Sequence, residues 1–137
     1  MLPRPERLTK AGLFQRLHST RKVISSPLVS LYVLERQPKS APRPPLVGFV
    51  VGKKVHARAT QRNRIKRRLR EAYRLFRKQL MESGEIEKYN LQQWYALAWH
   101  VKPEAMNATY SEISQTVAEC LEKAAQRFGR KVKSKSG

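Results

Sequence analysis

The sequence contains no aspartate, and all ten of its acidic residues are glutamates. Two-metal phosphodiester chemistry needs clustered carboxylate oxygens, so a self-sufficient metal nuclease is a poor fit. Cysteine is almost absent too. The single Cys120 excludes an intrachain disulfide and a cysteine-based zinc site. No apolar run approaches the roughly 18 residues that a membrane-spanning helix requires. Met1 to Lys10 is polar and proline-containing, without the apolar centre of a signal peptide. A cytoplasmic protein with no membrane partner is expected. There is no glycine-rich phosphate loop, because Gly52-Lys53 lacks the remaining residues of one.

What is abundant is positive charge. The 137 residues carry 29 Lys and Arg against ten acids, a formal charge of +19. A compact fold with that imbalance repels itself, and a polyanion relieves it. Nucleic acid is the leading partner class, and an anionic membrane surface is second. The length fits one domain, taken as residues 1–129, with 1–7 a flexible start and 130–137 a basic disordered tail.

Thr9 is placed to cap a short helix over about residues 10–18, with Leu13, Phe14 and Leu17 on its apolar side. Leu28 to Leu34 reads as a strand. Val29, Leu31 and Val33 share one face, and Ser30, Tyr32 and Leu34 share the other. Residues 36–45 hold four prolines and read as a long loop. Leu46 to Val51 is a second strand, and Lys53 to Gln61 a polar connection. A helix follows from about Arg62 to Met81, ending near Ser83-Gly84. Gly84 to Asn90 reads as a polar loop, and Trp94 to Val101 as a third strand stopped before Pro103. Thr109 and Glu112 have capping-box spacing. Behind them Ile113, Val117, Leu121, Ala124 and Phe128 form one stripe, and Gly129 supplies a stop. One further short strand has no pattern to place it. Helices mixed with a small sheet give an α+β class, the helices mainly on one face.

The helix from Arg62 is the most informative segment. At 100° per residue, Ile65, Leu69, Ala72, Tyr73, Phe76 and Leu80 gather into one apolar sector. Arg64, Lys66, Arg67, Arg70, Arg74, Arg77 and Lys78 sweep the opposite side, and only Glu71 opposes them. Like charges three and four residues apart each destabilise a helix by a few tenths of a kcal/mol, so a merely solvated face would alternate signs. Phosphate binding explains the bias, and arginine's planar fork suits phosphate oxygens. Lys53, Lys54 and Arg58 extend the same charge upstream.

Arg62-Asn63-Arg64-Ile65-Lys66-Arg67, preceded by Val47-Gly48-Phe49-Val50-Val51-Gly52-Lys53-Lys54, closely resembles the signature of the bacterial ribonuclease P protein family. The resemblance spans about residues 8–128. Leu8, Phe14-Gln15, Leu31-Tyr32, Trp94 to Val101, and Tyr110 with Glu112 fall in the expected order. It implies a small twisted mixed sheet with the basic and C-terminal helices packed on it, including a left-handed crossover. It also implies the non-catalytic protein subunit of an endoribonuclease that removes the 5′ leader of precursor tRNA. The catalytic RNA does the chemistry with Mg2+ bound mainly through RNA. The partners are that RNA and precursor tRNA, with no obligatory protein partner.

By the resemblance, Lys53, Lys54, Arg58, Arg62, Asn63, Arg64, Lys66, Arg67 and Arg70 bind the catalytic RNA. Phe14, His18, Ser30 and Tyr32 line a cleft for the single-stranded leader, where aromatic faces hold bases without sequence preference. His18 departs from the family, which often has a second aromatic there, and its imidazole offers less stacking area. His56-Ala57-Arg58 also replaces a glycine-containing connection. Read from the residues alone, Tyr32 fits the edge of a core better than a stacking platform, and only the resemblance reverses that order.

No side chain in the sequence reads as catalytic, and no metal site is expected. His18, His56 and His100 are scattered, with no carboxylate or cysteine at metal-ligand spacing. Cys120 falls on the apolar stripe of the last helix and is expected in the core. At least one of Trp94 and Trp99 is expected there too. Composition alone also fits a general RNA-binding protein, ribosomal or chaperone-like, with no role in cleavage.

Overall fold

In the computed structural model, residues 11–37, 44–84, 89 and 91–129 are described. Thr9, the flexible start, most of the proline-rich loop and the basic tail lie outside them. The elements are α1 (Ala11–Thr20), β1 (Val23–Ser25), β2 (Val29–Glu35), β3 (Leu46–Val50), α2 (Ala59–Ser83), β4 (Trp94–Val101) and α3 (Tyr110–Phe128). Short 3-10 turns at Leu91–Gln93 and Pro103–Asn107 flank β4. The class is α+β, as expected.

The four strands form one mixed sheet in the order β1-β2-β4-β3. β2 runs antiparallel to both β1 and β4, and β3 lies parallel to β4. Parallel neighbours require a crossover, and α2 supplies it between β3 and β4. β1 is the strand the sequence could not place. Its three residues are too few to show a period of two.

Alternation in the strands divides the molecule into two layers. Val29, Leu31 and Val33 of β2 join Leu97, Trp99 and Val101 of β4 on one face. Against them pack Ile65, Leu69, Ala72, Tyr73 and Leu80 of α2, with Ile113, Val117, Cys120, Leu121 and Ala124 of α3. These are the two apolar stripes read from the sequence, with Phe76 and Phe128 at the margin. Both tryptophans are fully buried. Cys120 is buried as well, and burial raises its thiol pKa, as befits a core residue. The opposite face carries a smaller cluster in which Leu17 of α1 covers Leu34, Ala96 and Ala98. Tyr32, Leu46 and Tyr95 rim it.

The helix ends have identifiable causes. Thr109 accepts the Glu112 backbone N–H at 3.1 Å, and Glu112 Oε1 accepts that of Thr109 at 2.8 Å, completing the capping box. Thr109→Ala is expected to cost about 0.5–2 kcal/mol, the usual range for a lost N-cap, measured by denaturant unfolding. Gly84 ends α2 in the left-handed region at φ 76°, which glycine adopts without penalty. Gly129 ends α3 differently. Its φ is −68°, and glycine is needed there because an added Cβ would meet the Ala125 carbonyl. α1 ends with Arg21 at φ 57°, a left-handed turn made without glycine that sends the chain into β1.

Element boundaries differ from expectation by one to three residues, the most at the start of the basic helix. α2 begins at Ala59, three residues before the helix read from the sequence. Ala59-Thr60-Gln61 offers no large apolar side chain to reveal the periodicity. The structural reason lies in the connection. Arg62 Nη1 donates to the carbonyls of His56 and Ala57 at 2.9 and 2.8 Å, and His56 Nδ1 accepts from the Arg58 N–H at 3.1 Å.

Candidate nucleic-acid interface

The outer side of α2 displays the cations as the helical projection requires. Asn63, Arg64, Arg67 and Lys78 are exposed, and Lys66, Arg68, Arg70, Arg74 and Arg77 are half-buried. Arg70 places its guanidinium 5.5 Å from the centroid of Phe49, which anchors one fork against the β3 edge. Arg74 clasps Glu71 through two hydrogen bonds of 3.1 and 2.6 Å. That bond holds the Glu71 carboxyl below its ordinary value, so α2's single glutamate within the cationic stretch is already engaged. Lys53, Lys54 and Arg58 are exposed in the connection that leads into the helix, where Val55 N–H closes a turn on the Gly52 carbonyl at 3.0 Å. The first turn of α2 has no acid and no side-chain cap, leaving its N–H groups and positive dipole end to complement an anion. Arg62 turns back onto the connection, donating to the carbonyls of His56 and Ala57.

On the opposite sheet face three rings meet. His18 of α1, Tyr32 of β2 and His100 of β4 have centroid separations of 4.8–4.9 Å, each pair edge to face. His18 and His100 share an Nε2–Nε2 hydrogen bond of 2.8 Å. Ser30 stands opposite His100 in register, half-buried beside the group. Phe14 lies in α1 one turn before His18, with its side chain outside the described residues.

The histidines are therefore not all scattered. Two that are 82 residues apart in sequence touch across α1 and β4. Strand alternation could have put His100 on the face opposite Trp99. Only the β2–β4 pairing, invisible in the sequence, brings it beside Tyr32. Burial, and then the charge of His18, push His100 below the ordinary imidazole value. Among the described residues, no three His, Cys or Glu side chains come together as metal ligands, and no helix is long and apolar enough to cross a membrane.

A cationic helix face and an aromatic group on two sides of one small sheet define a class, that of α+β nucleic-acid-binding proteins. The chain belongs to the ribonuclease P protein family: the family model described as Ribonuclease P matches residues 2–125. It is 30% identical over 118 residues to the ribonuclease P protein component of Symbiobacterium thermophilum, covering 86% of this chain and 90% of that one. It is 40% identical over 80 residues to that of Nitrosomonas europaea, covering 58% of this chain and 64% of the relative's length. The fold is similar to the solved RNase P protein of Staphylococcus aureus, with TM-score 0.65, 21% identity, and 87% and 94% of the two chains covered.

Proposed function

We propose that this chain is the non-catalytic protein subunit of ribonuclease P, assisting magnesium-dependent removal of the 5′ leader from precursor tRNA. The observation that carries the reading is the nearly unbroken cationic face of α2, set on the fold of the family whose model spans most of the chain. In this reading, Lys53, Lys54, Arg58, Asn63, Arg64, Lys66, Arg67 and Arg70 hold the catalytic RNA, with Arg62 shaping the loop between them. Phe14, His18, Ser30 and Tyr32 receive the single-stranded leader. An aromatic face stacks a base whatever its identity, at about 1–3 kcal/mol per base, which suits a leader of variable sequence.

The proposal places Mg2+ on the RNA. The described residues offer no carboxylate cluster for it, and the protein's part is to screen phosphate charge. Cations fixed on α2 replace counterions that the RNA would otherwise condense, so the magnesium requirement should fall. The test is cleavage of a precursor tRNA at low magnesium by the protein alone, a bacterial ribonuclease P RNA alone, and the two mixed. Efficient cutting at the mature 5′ end by the mixture only is the expected result. A mixture no better than RNA alone would reduce the chain to a general RNA-binding protein. Cutting by protein alone would move the chemistry into the chain.

A further inference from the structure

The His18–His100 contact holds two titratable groups within hydrogen-bond distance, Nε2 to Nε2 at 2.8 Å. A hydrogen bond between two Nε2 atoms needs one N–H and one lone pair. It therefore survives with no positive charge on the pair, or with one. With two charges both Nε2 atoms are donors, the bond is lost, and the imidazoliums repel.

We infer that this pair is a proton-operated contact for an RNA phosphate: the second proton breaks the shared bond and frees both Nε2–H groups for a phosphodiester oxygen laid beside Tyr32. The inference rests on the leader-groove reading and adds to it a residue, His100, and a linkage to pH.

The surroundings favour an external anion as the partner of the doubly charged pair. On and just after α1 lie Arg16 and Arg21, both exposed and both positive. Lys22, just before β1, and Glu35, at the end of β2, pair with each other. β2 also brings the neutral Tyr32 and Ser30, and β3 brings Val50, which stands opposite His100 in register and does not titrate. Following β4, Lys102 Nζ donates to Ser25 Oγ at 2.7 Å and to the Ser26 carbonyl at 2.5 Å. No carboxylate among the described residues contacts either imidazole. The protein thus supplies no anion to stabilise a second charge, and His100 is already held below its ordinary value. A phosphate would stabilise it. Tyr32, in contact with both rings, presents an aromatic face for the adjoining base, so one nucleotide engages the whole group.

The sign follows from linkage. Binding that raises the pair's proton affinity takes up a proton. Affinity then rises as pH falls, by at most about tenfold per pH unit for one proton. The experiment uses the full chain assembled with a bacterial ribonuclease P RNA at fixed ionic strength. Affinities are measured from pH 8 to 5.5 for precursor tRNA and for mature tRNA, which lacks the leader. The ratio of the two removes pH effects on the rest of the assembly. We expect the ratio to grow by about three- to tenfold toward pH 5.5. His100→Gln, which keeps an amide to bond His18 but cannot gain charge, is expected to flatten the profile. His100→Gln protein must assemble with the RNA as wild type does, and proton NMR of the free chain should show one imidazole titration fewer. A leader preference that is present but flat with pH, or equally steep in His100→Gln, overturns the inference and leaves the leader reading standing. No leader preference at any pH overturns both.

Discussion

Replacing Trp99 by alanine is expected to cost about 3–5 kcal/mol of folding stability. Trp99 is fully buried in β4, one of the two strands that pair on both sides. In register it stands between Leu31 of β2 and Phe49 of β3, and its ring lies 6.3 Å from that of Tyr73 on α2. It therefore joins three strands to the basic helix. Its Nε1 has no hydrogen-bond partner among the described residues, so truncation forfeits packing rather than a polar contact. Domains of this kind hold a total of about 5–15 kcal/mol, so the loss is a large share. Thermal and denaturant unfolding would read it, with a fall in melting temperature on the order of 10 °C or more. Met81, 68% exposed near the end of the same helix, is the contrast, and its alanine variant should stay within about 0.5 kcal/mol of wild type. Comparable losses for both would mean that α2 is not docked through its apolar stripe.

The second large effect concerns the other side of that helix. Arg64→Ala, Lys66→Ala and Arg67→Ala together are expected to weaken assembly with the catalytic RNA by about a hundredfold or more. Hydrogen bonds to charged groups contribute about 1.5–3 kcal/mol each, and exposure reduces that figure here. The more specific signature is the salt dependence. Each phosphate contact removed should lower the slope of log affinity against log salt by about 0.7–0.9, so three contacts lower it by about 2–3. Folding should be unchanged or improved, because Arg64 and Arg67 are exposed and removing the three charges relieves repulsion along the helix. An undiminished slope would show that Arg64, Lys66 and Arg67 attract RNA only at long range.

What could be read from the sequence followed from local chemistry. The two faces of α2 were legible because a period of 3.6 sorts Ile65, Leu69 and Tyr73 from Arg64, Lys66 and Arg67 without reference to anything else. The α3 cap was legible because Thr109 and Glu112 satisfy each other within one turn. Strand order and the His18–His100 contact were not, since both depend on pairing between segments far apart in the chain. Gly129 shows a subtler limit. Its place as a stop was readable, but the cause is a close approach to Ala125 rather than a left-handed backbone. On the site itself, the residue types gave the cationic face directly. The proposed leader groove needed the family resemblance to single out Tyr32, and the fold brought His100 beside it.

The central claim is a division of labour between two surfaces of one sheet. It is tested most directly by measuring, for Arg64→Ala and Tyr32→Ala in parallel, both the affinity for the catalytic RNA and the preference of the assembled enzyme for precursor over mature tRNA. The account predicts that Arg64→Ala weakens assembly and leaves the preference near wild type. Tyr32→Ala should reduce the preference by about fivefold or more, the loss of one stacked base, with assembly unchanged. If both variants impair both quantities equally, the two surfaces are one site and the account is wrong.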